Sequence, residues 1–117
     1  MWLCTQLGFY SVVRQPAGFF HIGARCLGDL DALASAIGLP EPQPSVAGAD
    51  CPWHIACDAT DLTRFFALMA ASLTYEDFTA AVARHPLQQR KLAAYHDIHQ
   101  RLLEWQQNQG GGSTQVA

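Results

Sequence analysis

The segment Phe19-Phe20-His21-Ile22-Gly23-Ala24-Arg25-Cys26 constrains this chain more than any other. Successive strand side chains point to opposite faces of a sheet. Phe20, Ile22, Ala24 and Cys26 therefore share one apolar face, and His21, Gly23 and Arg25 share the other. A strand divided in this way belongs to a sheet covered by helices on one side and open on the other. Gln15-Pro16-Ala17-Gly18, just before it, is turn chemistry: Pro presets its φ, and Gly accepts a positive one. Further back, Trp2–Arg14 carries Phe9, Tyr10, Val12 and Val13, residues that suit a strand, with Gly8 marking a bend or bulge inside it. Two strands about a short turn make an antiparallel hairpin.

The rest of the chain reads mainly as helix. Leu30, Leu33, Ala34 and Ile37 recur at i, i+3, i+4 and i+7 behind Asp29, and Gly38 fits a left-handed stop. Pro40-Glu41-Pro42-Gln43-Pro44 excludes helix and central strand, so an extended loop is expected to about Asp50. Trp53–Cys57 alternates again, with Trp53, Ile55 and Cys57 inward and His54 and Ala56 outward. Asp58 then caps a helix carrying Leu62, Phe65, Phe66, Met69 and Leu73. Thr74-Tyr75-Glu76-Asp77 has capping-box form ahead of a short helix with Phe78, Ala81 and Val82, which His85-Pro86 ends. A last helix is expected from near Leu87 to Trp105.

The order strand–strand–helix–strand–helix–helix–helix predicts an α+β, two-layer domain: a three-stranded, mainly antiparallel sheet (ββαβααα) with helices on one face. If the first helix is a crossover, the strand order becomes 2-1-3, a relative of the ferredoxin-like layout. One globular domain is expected over residues 1–105, with 106–117 as a flexible tail rich in Gln and Gly. A chain of 117 residues suffices for one core without staples.

Seven Lys and Arg stand against ten Asp and Glu, and Lys91 is the sole lysine, a balance that argues against nucleic acid as partner. No stretch approaches the roughly 20 apolar residues of a membrane span. The N-terminus lacks the basic start and small-residue cleavage site of a secretion signal, so a cytoplasmic location is expected. Cys4, Cys26, Cys51 and Cys57 show no CxxC pair; free thiols are the simplest reading, with a metal site or disulfides as alternatives. No cofactor or metal is expected.

Two surfaces are candidates for function. On the open sheet face, alternation gathers His21, Arg25 and His54, with Tyr10 or Ser11 between them according to the register at Gly8. Such a group suits an anion, a base or a protein partner. On the last helix, Tyr95, Ile98, Leu102 and Trp105 are expected to face the domain, leaving Leu92, His99 and Leu103 on an exposed flank. Trp2, Phe19, Trp105 and that flank are more apolar surface than such a domain hides, which points to a protein partner or a second copy. GxSxG, P-loop, GxGxxG and HExxH motifs are absent, and no catalytic residue is assigned. His96 and His99 stand i, i+3 without a third ligand nearby in the sequence.

Trp2 with Gly8-Phe9-Tyr10-Ser11-Val12-Val13, Ala24-Arg25 with Asp29-Leu30, Ala49-Asp50-Cys51-Pro52-Trp53-His54-Ile55, Tyr75-Glu76-Asp77-Phe78, and Tyr95 with Ile98 resemble a group of small bacterial proteins whose relatives travel on phages, plasmids and other mobile elements. The resemblance covers residues 1–105. It implies a setting, that of small phage or plasmid proteins, and no active site. The expected function is a non-enzymatic protein–protein interaction module, an inhibitor or adaptor of a host complex. Two alternatives remain open: a nucleic-acid-contacting module using the open sheet face, and a small metal-dependent enzyme.

Overall fold

The computed structural model describes residues 1–110 and shows an open, five-stranded, wholly antiparallel sheet with four α-helices. In chain order the elements are β1 (Trp2–Thr5), β2 (Gly8–Arg14), β3 (Phe20–Ala24), α1 (Leu27–Ile37), β4 (Gln43–Pro44), β5 (Trp53–Cys57), α2 (Ala59–Ala71), α3 (Phe78–Arg84) and α4 (Leu92–Gly110). The α+β class is as the alternation predicts, but the sheet is not the expected three-stranded one: its order is β1-β2-β3-β5-β4.

Two local causes account for the difference. The segment expected as one bent strand is two, because Thr5 organises a turn after β1. Its hydroxyl accepts from the N–H groups of Leu7 (3.1 Å) and Gly8 (3.0 Å) and donates to the Gly8 carbonyl at 2.8 Å. The Thr side chain thus supplies the turn's bonds locally. The second cause lies in the proline loop. Its Gln43–Pro44 runs antiparallel to β5 at the sheet edge, where a missing N–H is tolerated. The helix α1 is a crossover as expected, but it leads from β3 to this edge strand, which runs parallel to β3, and the chain then turns back as β5, antiparallel between the two.

Ile22, Ala24, Ile55 and Cys57 point inward, as the alternation of their strands predicts. Tyr10 pairs with Ala24, Val12 with Ile22, and Ile22 with Ile55, all on the buried face. Leu30 and Leu33 of α1 and Phe65 and Met69 of α2 close that face. Phe65 meets the Tyr10 ring edge-on at 5.4 Å. Asp58 caps α2 by accepting from the Asp61 N–H at 2.8 Å, and Gly38 ends α1 with a φ of 68°.

The third helix departs from expectation at its start. Asp77, rather than Thr74, caps α3 through the Ala80 N–H. At the other end of the chain α4 runs past Trp105 to Gly110, so residues 106–110 of the expected tail are helical; the remainder, 111–117, lies outside the described residues. Among the described residues no helix is long and apolar enough to cross a membrane.

Candidate functional site

Two concave surfaces flank the open side of the sheet, and the residues singled out in the sequence divide between them. The first is a small polar cleft of about 170 Å³ lined by Ser11, His21, Gly23, Ser45, Cys51 and His54 among others. It exists because the loop between β4 and β5 folds over the uncovered face. Gly23 lets it approach: a Cβ there would stand 3.0 Å from the Cys51 Cβ. Arg25 donates to the Asp50 carbonyl at 2.8 Å and ties the loop down from the β3 end.

His21 and His54, cross-strand neighbours offset by two residues, stack with ring centroids 4.1 Å apart. The Ser45 hydroxyl lies 3.0 Å from His54 Nδ1. Partial burial, and then the neighbouring His21, hold the His54 pKa below the usual histidine value. Burial raises the Cys51 thiol, with Arg25 and Asp50 acting in opposite senses. Ser45 is the only hydrogen-bond partner of either imidazole among the described residues, so no carboxylate orients this Ser–His pair as a nucleophilic site requires.

His54 favours its neutral form when folded, so the folded chain binds fewer protons than the unfolded one. The resulting stability is present above the unfolded histidine pKa of about 6.5 and is lost as pH falls through the lowered native value. His21, Arg25, Asp50 and Cys51 are the other titratable groups around this ring. Denaturation midpoints at pH 7.5 and 5.5 should therefore differ more for the native chain than for His54→Gln. Equal differences in the two proteins would remove His54 as the cause.

Of the two candidates from the first strand, Tyr10 and Ser11, the structure removes Tyr10 from this face: it is 1 % exposed and belongs to the core. Its hydroxyl donates to the Asp29 carbonyl at 3.2 Å, and Ser11 takes the open side instead. No sequence spacing announced Ser45 or Cys51, which arrive by a loop.

The second surface is a groove of about 700 Å³ between the β1–β2 corner and α4. One wall is Trp2, Cys4 and Phe9, with the Trp2 and Phe9 rings 6.3 Å apart. The other is Ala94, Tyr95, Ile98 and Leu102 of α4. Its inner end is polar. Asp29, in the first turn of α1, accepts at Oδ1 from Gln88 Nε2 (2.8 Å) and Lys91 Nζ (3.2 Å). Its Oδ2 stands 3.1 Å from the same ammonium but makes no hydrogen bond. The buried Tyr95 hydroxyl also has no partner among the described residues. Burial, and then Cys4, Asp29 and Cys26, push its pKa above the ordinary tyrosine value.

No family model, curated protein or solved structure matches this chain. Its function must therefore be read from these two surfaces. Among the described residues no three His, Cys, Asp or Glu side chains come together as a metal site, and all four cysteines are free of disulfides.

The faces of α4 meet expectation only in part. Tyr95 is buried, but Ile98, Leu102 and Trp105, expected to pack inward, are 41 %, 62 % and 62 % exposed. Of the expected exposed flank, only His99 is exposed, while Leu92 and Leu103 are half-buried. The cause is position along the helix rather than angle around it. α4 is held to the domain by its first turns, and beyond Tyr95 every residue through Gln109 is exposed except Leu103. Phe19 (53 %) and Trp2 (70 %) are exposed as the excess of aromatic surface suggested.

Proposed function

We propose that this chain is a non-enzymatic protein-interaction module whose docking surface is the groove between the β1–β2 corner and α4, and whose occupant is an amphipathic helix. The observation that carries this reading is the pairing of two apolar walls, Trp2 and Phe9 facing Ile98 and Leu102, with Trp105 prolonging the helical wall. Apolar grooves of this kind receive a helix through residues at i, i+3 or i+4, and i+7. The helical wall from Ala94 to Trp105 is about 17 Å long, three turns of a partner helix. The partner-binding residues shift accordingly from Leu92, His99 and Leu103 to Trp2, Phe9, Ile98, Leu102 and Trp105. An inhibitor or adaptor role in the cytoplasm, the setting expected from the sequence, is part of the same proposal.

Display of a random helical-peptide library tests the reading. The immobilised chain should enrich peptides with apolar residues at helical spacing. Leu102→Glu should lose them while its melting temperature stays within a few degrees, because its target is an exposed side chain. Equal enrichment by both proteins, or none by either, would sink the proposal.

A further inference from the structure

The groove's helical wall is its own complement. Tyr95, Ile98, Leu102 and Trp105 are spaced three, four and three residues apart, a pattern symmetric about Gln100. We infer that the helix occupying the groove is α4 of a second copy, so that the chain forms a two-fold dimer through an antiparallel α4–α4 contact. This rests on the reading of the groove as a helix-docking surface.

Turning one copy end over end about Gln100 sets Ile98 of each opposite Leu102 of the other, and Trp105 of each level with Tyr95 of the other. Both halves of the contact are then the same residues in exchanged roles, as two-fold symmetry requires. Trp105 of each copy then comes to the end of the other's groove where Tyr95 forms the wall. The flanks agree in charge. Arg101 is 83 % exposed and only loosely paired with Glu104, at 3.7 Å. In this register it comes within two residue levels of Asp97 of the other copy. Trp2, Ile98, Leu102 and Trp105 together offer on the order of 500 Å² per copy, taking up to ~250 Å² for a whole Trp. Two copies then reach about 1,000 Å², the lower bound for a specific interface, which fits a reversible dimer.

Complementation by charge tests the register. Light scattering should give the native chain twice its single-chain mass, falling towards one on dilution. Ile98→Glu and Leu102→Lys should each give the single-chain mass with an unchanged helical signal. Mixed one to one they should restore the double mass. The carboxylate introduced at position 98 of one copy then faces the ammonium introduced at position 102 of the other, and one native Ile98–Leu102 contact remains. Trp105→Ala, a milder change, should also weaken the dimer. A native chain that stays single at millimolar concentration would overturn the inference, as would a dimer that survives Ile98→Glu or a mixture that stays single. The helical-peptide display separates the two readings. A single chain that still enriches helical peptides keeps the docking surface and loses the self-pairing; one that enriches none loses both.

Discussion

Ile22→Asp is expected to abolish folding. Ile22 is 0 % exposed at the centre of the sheet, flanked by Val12 on β2 and Ile55 on β5 and covered by the α1 and α2 core residues. Removing its side chain alone costs about 2–5 kcal/mol, and an unpaired carboxylate in the same place costs several more. The total stability of a domain this size is roughly 5–15 kcal/mol. The control lies one residue off in register. Val13 and His21 face each other on the open side, so Val13→Asp places its charge at a half-exposed position and should leave the chain folded. Far-ultraviolet circular dichroism and a urea titration read both. A folded Ile22→Asp, or an unfolded Val13→Asp, would mean the strand is slipped by one residue, which exchanges its two faces throughout.

That strand was legible because alternation is a local property. Ile22 and Ala24 inward and His21 outward follow from order in the sequence alone, as do Ile55 and Cys57 inward and the Asp58 cap. The choice between Tyr10 and Ser11 stayed open in the sequence because the Thr5 turn, not Gly8 as a bulge, sets the phase of β2. The strand order was lost for a different reason: two residues of a proline loop, too few for any pattern, add a strand and reverse the next one. The α4 faces were misread because a helical wheel gives angle but not where along its length a helix leaves the domain. Trp2, Phe19 and Trp105 stood out as surplus, yet the groove joins Trp2 to Leu102, one hundred residues apart, and only tertiary structure brings them together. The same holds for Asp29 and Lys91, which pair across 62 residues of sequence.

That pair carries the second large effect. Lys91→Met is expected to destabilise the chain by about 3–5 kcal/mol, the range for stripping one partner from a buried ion pair. The side chains of Lys91 and Asp29 are only 17 % and 6 % exposed, and Gln88 bridges them, donating to Asp29 and accepting from Lys91 at 2.8 Å each. Without the ammonium a buried carboxylate keeps one hydrogen-bond donor from a side chain and the favourable N-terminal dipole of α1, which is worth only about 0.3–1 kcal/mol. Asp29→Asn with Lys91→Met removes both charges and leaves a carboxamide that still accepts from Gln88, so the double variant should recover more than half of the loss. Urea midpoints measure all three proteins. A single variant within about 1 kcal/mol of the native chain, the scale of an exposed pair, would mean that the two charges are open to water in solution. The consequence reaches the groove, because Lys91 immediately precedes α4, and its tie to α1 fixes where that helix departs. Lys91→Met should therefore weaken whatever the Tyr95–Trp105 wall binds, even under conditions where the variant remains folded, whereas Leu102→Glu should remove binding and leave stability untouched.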